Sequence, residues 1–246
     1  MVTLRVSTLF KSINNKNIFL HLIDSEFKKV SSLHQNSFGL KKIFYCIEKK
    51  RLKKFENYKI SKFKKVTLVS KDDMDFIGNK PNLYHLPIFK KVINHKNLVK
   101  DPKRIIFTGN LSYLPNKQAI EWFINSCLGD LINRFKVKLV IAGAGNTGFL
   151  NEYKQRFPKS ISILGYVNDL NFEIAKSVFS IAPIFSGAGI QNKILESLAN
   201  STTVVTTSRG SNPIGLTNNS NVLIANNKIE FINCCSRLLE DPVLNK

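Results

Sequence analysis

The chain has 246 residues, 43% of them apolar, and its 37 Lys+Arg against 17 Asp+Glu give a formal charge of +20. That apolar share excludes a disordered chain, and the length admits one large domain or two small ones. Cys46, Cys127, Cys234 and Cys235 form no CxxC pair and have no His at ligand spacing, which argues against a zinc site or a disulfide scaffold. The opening residues lack the apolar run of a signal peptide, and no later stretch approaches about 18 uninterrupted apolar residues, so a reducing cytoplasm is expected.

Charge is unevenly spread. Residues 1–104 hold 24 Lys+Arg and 8 Asp+Glu, net +16, whereas residues 105–246 hold 13 and 9, net +4. A polar stretch from Phe89 to Pro102, closed by a proline that disfavours helix before it, reads as the connection between a domain of residues 1–100 and one of residues 101–246. Heavy use of Lys, Asn, Ile and Phe also fits an AT-rich genome, so charge alone is only an electrostatic hint.

In chain order, short apolar and β-branched runs at 17–23 and 65–70 flank a helical pattern from Leu40 to Tyr58, giving β-α-β. In that helix Leu40, Ile43, Phe44, Ile47 and Phe55 fall near helical spacing with lysines between them. It is a basic amphipathic helix, of the kind that lies on anionic membranes but more often docks its stripe on a neighbouring sheet. No RNA-recognition or zinc-finger pattern accompanies it, and no nucleic-acid partner is expected.

Strand patterns at 104–108, 137–142, 160–164, 178–182 and 202–206 then alternate with helical patterns near 116–132, 147–156, 169–176 and 189–200. Repeated β-α units of this length predict a doubly wound parallel sheet, which binds ligands at the carboxyl ends of its strands. The loops expected there each carry glycine: Gly109-Asn110, Gly143 to Gly145, Gly165-Tyr166-Val167, and Pro183 to Lys193 with Gly187 and Gly189. Glycine lets backbone amides approach a phosphate, and the following helix dipole favours an anion. Lys193 and Glu196, three apart on one helix face, offer a cation for a diphosphate and a carboxylate for vicinal hydroxyls, although such pairs are also routine on helix surfaces.

From Ile105 to Pro242 these pieces, in this order, resemble the nucleotide-sugar-binding domain of retaining glycosyltransferases of family 4. They are Phe107 to Asn116, Val140 to Gly145, Leu164 to Leu170, Ala182-Pro183, Gly187 to Ala199 and Val204 to Thr207. The resemblance implies the GT-B fold, here one complete Rossmann-like parallel-sheet domain and a partial Rossmann-like N-terminal domain. It implies that Glu196 binds the donor ribose and that Gly165, Tyr166 and Val167 meet the base. It also implies that Gly187, Gly189, Ile190 and Gln191 offer amides to the diphosphate and sugar, with Gly109 and Asn110 beside the diphosphate.

Two departures stand out. Ala188 occupies the place of a second glutamate found in many members, and Asn110 and Asn116 stand where many place Arg and Lys. The resemblance therefore assigns the missing cation to Lys193, with Lys117 as a second candidate. The first 100 residues match only Ile23 to Ser25, the basic helix ending near Glu56, Leu68 to Asp73 and the approach to the linker at Leu86-Pro87, so the chain reads as a truncated or split enzyme whose sheet edge a complementary N-terminal half would cover. Among His21, His34 and Asp24, groups that more often cap or satisfy a core, only Asp24 is carried forward as an acceptor-side candidate.

The expected activity is transfer of a hexosyl unit, with retention, from a nucleotide-diphosphate sugar to a saccharide or lipid-linked acceptor in surface polysaccharide synthesis. No metal or other cofactor is expected, and the enzyme is placed at the inner face of an anionic membrane. The alternative is a non-catalytic fragment or subunit that binds nucleotide only.

Overall fold

The computed structural model describes residues 19–35, 37–95, 97–186, 189–220 and 222–241. Their contacts divide into two compact units: Met1–Phe89 with Gly187–Ile190, and Lys90–Ser186 with Gln191–Lys246. The stretch read as a connection is mostly part of the second unit. Ile93 N donates to Ala199 O at 2.7 Å, His95 Nε2 lies 2.7 Å from Asn200 Oδ1, and Lys100 Nζ donates to Ser201 O at 2.7 Å.

The first unit runs β1 (Leu20–Leu22), α1 (Glu26–Gln35), α2 (Gly39–Lys62), β2 (Val66–Leu68), α3 (Lys71–Ile77) and β3 (Leu83–His85). Its strands pair in parallel in the order β1-β2-β3, with Leu20 opposite Val66 and Val66 opposite Leu83. Leu20, Leu22, Ile60, Val66, Leu68 and Leu83 form the core, closed by Phe55, Phe63, Met74 and Ile77. Ser25 ties the strand end to both neighbouring helices: its amide donates to Asp73 Oδ2 at 2.9 Å and its hydroxyl to Glu56 Oε2 at 2.9 Å. Thus three of the four short matches quoted for this half, Ile23 to Ser25, Glu56 and Leu68 to Asp73, meet in one buried polar network.

Helix α2 departs from the docked arrangement expected of it. Leu40, Ile43, Phe44 and Ile47 are 85%, 60%, 63% and 63% exposed, and of the apolar positions named only Phe55 joins the core. The reason is rotational: the inward face is set at the far end of the helix by Glu56, Lys59 and Ile60, which are buried, and at 3.6 residues per turn the Leu40–Ile47 stripe lies on the opposite side.

The second unit runs β4 (Asp101–Thr108), α4 (Leu114–Phe123), a π-helical turn (Ile124–Leu128), α5 (Gly129–Phe135), β5 (Lys138–Ala142), a 3-10 turn (Gly148–Leu150) and α6 (Asn151–Arg156). It continues through β6 (Ile161–Gly165), α7 (Leu170–Ala175), β7 (Ser177–Ala182), α8 (Asn192–Ala199), β8 (Thr203–Thr206), α9 (Ser208–Ser211), β9 (Leu223–Ile224) and α10 (Lys228–Glu240). All six strands are parallel, in the order β6-β5-β4-β7-β8-β9.

Alternation along the strands divides their side chains between two faces. Ile105, Phe107, Leu139, Ile141, Phe179 and Ile181 pack with Phe123, Leu131 and Phe231 from the helices on one side. Ile106, Val140 and Ala142 meet Ile174 on the other, and Ala182 and Val204 meet Ile194 there. Both faces being covered explains the continuous apolar runs of the central strands, and every residue of β7 is buried. The chain moves outward from β4 through β6, then returns beside β4 to start β7, so the crevice at the switch point opens above the carboxyl ends of β4 and β7.

Candidate functional site

The loop after β4 and the helix after β7 converge at that switch point. Gly109 follows Thr108 with a φ of 152°, and a Cβ there would lie 2.8 Å from Asn116 Nδ2 and 3.1 Å from Lys193 Nζ. Glycine is thus required by the approach of two polar side chains from α4 and α8. Asn116 Nδ2 donates to Asn110 O at 2.9 Å, while its Oδ1 accepts from the Lys193 ammonium. Asn116 therefore clamps the first loop and the lysine together.

Lys193 sits in the first turn of α8, only 8% exposed, with its Nζ 4.6 Å from the centre of the Phe107 ring. Burial pushes its ammonium down to about 8, and Glu196 one turn later pulls it partly back. Among the described residues it pairs with no carboxylate. A buried cation held by an amide and a ring, at the mouth of a parallel sheet, has the electrostatics to take an anion. Glu196, on the same helix face, is partly exposed and pairs with Lys90 at 3.0 Å.

The loops after β5 and β6 continue the rim. Gly109 N donates to Ala142 O, Leu111 N to Ala144 O and Gly143 N to Gly165 O, at 3.1, 2.7 and 2.7 Å. A Cβ on Gly143 would collide with Gly109 O, so this glycine serves loop against loop packing. Gly165 has a φ of 64° and turns the chain so that Tyr166 is 75% exposed while Val167 packs against the apolar layer of Ile106, Val140 and Ile174. The β7 loop is anchored on α4: Ser186 Oγ donates to Gln118 Oε1 at 2.7 Å, and the Phe185 ring lies 4.5 Å from that of Trp122.

Gly187 and Ala188 lie outside the described residues. Gly189, buried with a φ of 85°, and Ile190 group with the first unit, and Gln191 stands at the N-cap position of α8. Within the first unit Asp24 follows β1 and pairs with Lys29 at 2.9 Å. A Cβ on Gly189 would collide with Asp24 Oδ1, an oxygen that is buried with no hydrogen-bond partner among the described residues. His21 Nδ1 lies 2.7 Å from Thr67 Oγ1, a cross-strand pair.

Gly109, Asn110, Gly143, Gly165, Lys193 and Glu196 thus share one rim of the second unit. Lys117 points elsewhere, over the Phe149 ring at 4.8 Å. Lys90 carried no motif signal and was legible only through its partner, while Asn116 was visible as a departure but not as the holder of Lys193. Among the described residues no group of three His, Cys, Asp or Glu could hold a metal ion, and no helix is long and apolar enough to cross a membrane.

Residues 102–241 match the family model described as glycosyl transferases group 1. An uncharacterized 44.6 kDa protein from the cps region of Klebsiella pneumoniae is 28% identical over 240 residues, 93% of this chain and 60% of that protein. Among solved structures, TarM of S. aureus, in complex with Fondaparinux, alpha-GlcNAc-glycerol and UDP, is similar at a TM-score of 0.70 and 15% identity, over 95% of this chain and 46% of its own. WaaG, a glycosyltransferase involved in lipopolysaccharide biosynthesis, gives 0.67 and 12%, over 98% and 73%. Anabaena HepE with UDP and glucose gives 0.64 and 13%, over 98% and 67%. The chain thus spans 60% of the curated relative and about half of TarM, and these structures share its GT-B architecture.

Proposed function

Because this chain belongs to the glycosyl transferases group 1 family, we propose that it moves a hexosyl unit, with retention, from a nucleoside diphosphate sugar to a saccharide or lipid-linked acceptor. The setting is surface polysaccharide synthesis, supported by the cps-region relative. Such synthesis on lipid-linked acceptors would place the enzyme at the inner face of the membrane. UDP is the first nucleotide to test, since the TarM and HepE structures hold it.

The observation that carries this reading is the buried Lys193 ammonium, held by Asn116 against Gly109 at the switch point. In transfer the anomeric carbon gives up its bond to the diphosphate and gains one to the acceptor oxygen, whose proton departs. The leaving nucleoside diphosphate accumulates negative charge, and a cation already fixed in a dry site stabilises it without reorganising. Lys193 supplies that cation where other members use a side chain of the first loop. Glu196 takes the ribose hydroxyls, the backbone of Gly165 to Val167 meets the base, and the amides of Gly187 to Gln191 face the diphosphate and sugar. The buried Asp24 oxygen, without a hydrogen-bond partner among the described residues, supports an acceptor-side role for that residue.

The test is release of UDP and free or transferred sugar from UDP-glucose, UDP-galactose and UDP-N-acetylglucosamine. Turnover that falls at least about hundredfold in Lys193→Met is expected. Nucleotide binding without any turnover would leave a chain that binds donor but does not act alone.

A further inference from the structure

We propose that the outward face of α2 is a docking surface for an anionic lipid bilayer. Leu40, Ile43, Phe44 and Ile47 form one exposed stripe on the first two turns, and Phe38, just before the helix, is 85% exposed. On the same side of the helix the stripe passes into Arg51, Lys54 and Tyr58, all exposed, with Lys50 along its border. In all, α2 carries nine Lys and Arg against Glu48 and Glu56. Glu56 is buried, and Glu48 faces Arg51 at 3.6 Å.

The cations continue onto the flank facing α1, where Lys49, Lys50 and Lys53 line a hollow of about 480 Å³ with Gln35. A narrow run of large apolar side chains bordered by lysines is suited to lying in the headgroup layer, apolar groups down and ammonium groups among phosphates. Charge decides the occupant. A second copy presenting the same face would set cations against cations, as a two-fold interface repeats one patch on both partners. An anionic surface complements the whole face and attracts each lysine separately.

The full chain is mixed with vesicles of phosphatidylcholine alone and of phosphatidylcholine with phosphatidylglycerol, and sedimented at low and high salt. Binding to the anionic vesicles only, weakened by salt, is expected. Phe44→Ser/Ile47→Ser should lower vesicle affinity about tenfold or more, and Lys50→Gln/Lys54→Gln about fivefold per lysine removed. These positions are exposed, so circular dichroism should be unchanged.

Vesicle binding unaltered by the apolar pair would overturn the proposal in favour of charge attraction alone. No binding to anionic vesicles would overturn it outright, as would a wild-type dimer in sedimentation velocity that the apolar pair dissociates. UDP affinity is measured on the same samples. If vesicle binding fails while UDP affinity stands, the docking face is wrong and the donor site is untouched; the converse result separates them the other way.

Discussion

Lys90 Nζ lies 3.0 Å from Glu196 Oε1, so the carboxylate assigned to the donor ribose already carries a cation on one of its oxygens. Both partners are partly solvated, and such pairs contribute about 0–1 kcal/mol. A ribose hydroxyl must compete with the ammonium for that oxygen. Lys90→Met should therefore tighten UDP binding by no more than about fivefold. Affinity for 2′,3′-dideoxy-UDP, which offers no hydroxyl to Glu196, should not change. Calorimetric titration of both ligands checks this, and an equal effect on both would remove Lys90 from the ribose site.

Lys193 titrates at about 8 in the folded chain against 10.5 ordinarily. Its charge is present below about pH 8, so nucleotide affinity should be highest there and fall by up to about tenfold per pH unit above it, with proton uptake on binding. The effect on folding has the opposite sign. Between about 8 and 10.5 the unfolded chain holds the proton that the folded chain has shed, so stability rises with pH across that window. Lys193→Met should flatten the binding profile and reduce the slope of the stability profile, to which Lys100, also pushed down to about 8 by burial, contributes as well; titration in buffers of different ionisation enthalpy and denaturant unfolding measure the two.

Glu56 is buried and its carboxyl is raised above 4.5, chiefly by that burial. A raised carboxyl holds its proton more tightly in the folded state. Its contribution to stability is full below pH 4.5 and is lost as pH rises through the folded value. Glu56→Gln keeps an acceptor for the Ser25 hydroxyl without the charge. It should melt higher than the wild type at pH 7, by roughly 1 kcal/mol of stability, and no differently below pH 4.5. Thermal melts at both pH values decide it.

Gly143→Ala tests whether the rim glycines serve packing between loops. Its Cβ would collide with Gly109 O, and the φ of 144° suits glycine alone. A loss of about 3 kcal/mol is expected. Gly165→Ala, which meets nothing within 4 Å, should cost only the backbone strain of its φ of 64°, about 1–2 kcal/mol. Urea unfolding of the two variants ranks them.

The central strands were legible because β5, β7 and β8 are buried on both faces and so read as unbroken apolar runs. Their ends fell within one residue of those expected. The edges were not. In β3 only Leu83 is buried, and β9 has two residues. Helix α1 buries only Phe27 and Ser31, too few to write a helical period. Helix α10 did carry a signal that went unread: Asn227 caps it by accepting from Glu230 N, and Phe231, Cys235 and Leu238 repeat on its buried face. The site was legible as a set of motifs in order, since each sits at a strand end. Its Asn116 clamp and the Lys90 pairing were not, because they join residues 77 and 106 positions apart.

The central claim is that this chain holds a donor site centred on Lys193 and Glu196. Calorimetric titration of the purified chain with UDP, beside Lys193→Met and Glu196→Ala, tests it most directly. The account predicts saturable binding, weakened about thirtyfold by Lys193→Met, as loss of a charge-assisted contact of about 2 kcal/mol requires, and clearly weakened by Glu196→Ala. Binding that neither substitution alters, or none to UDP, GDP or ADP by a folded chain, would contradict it.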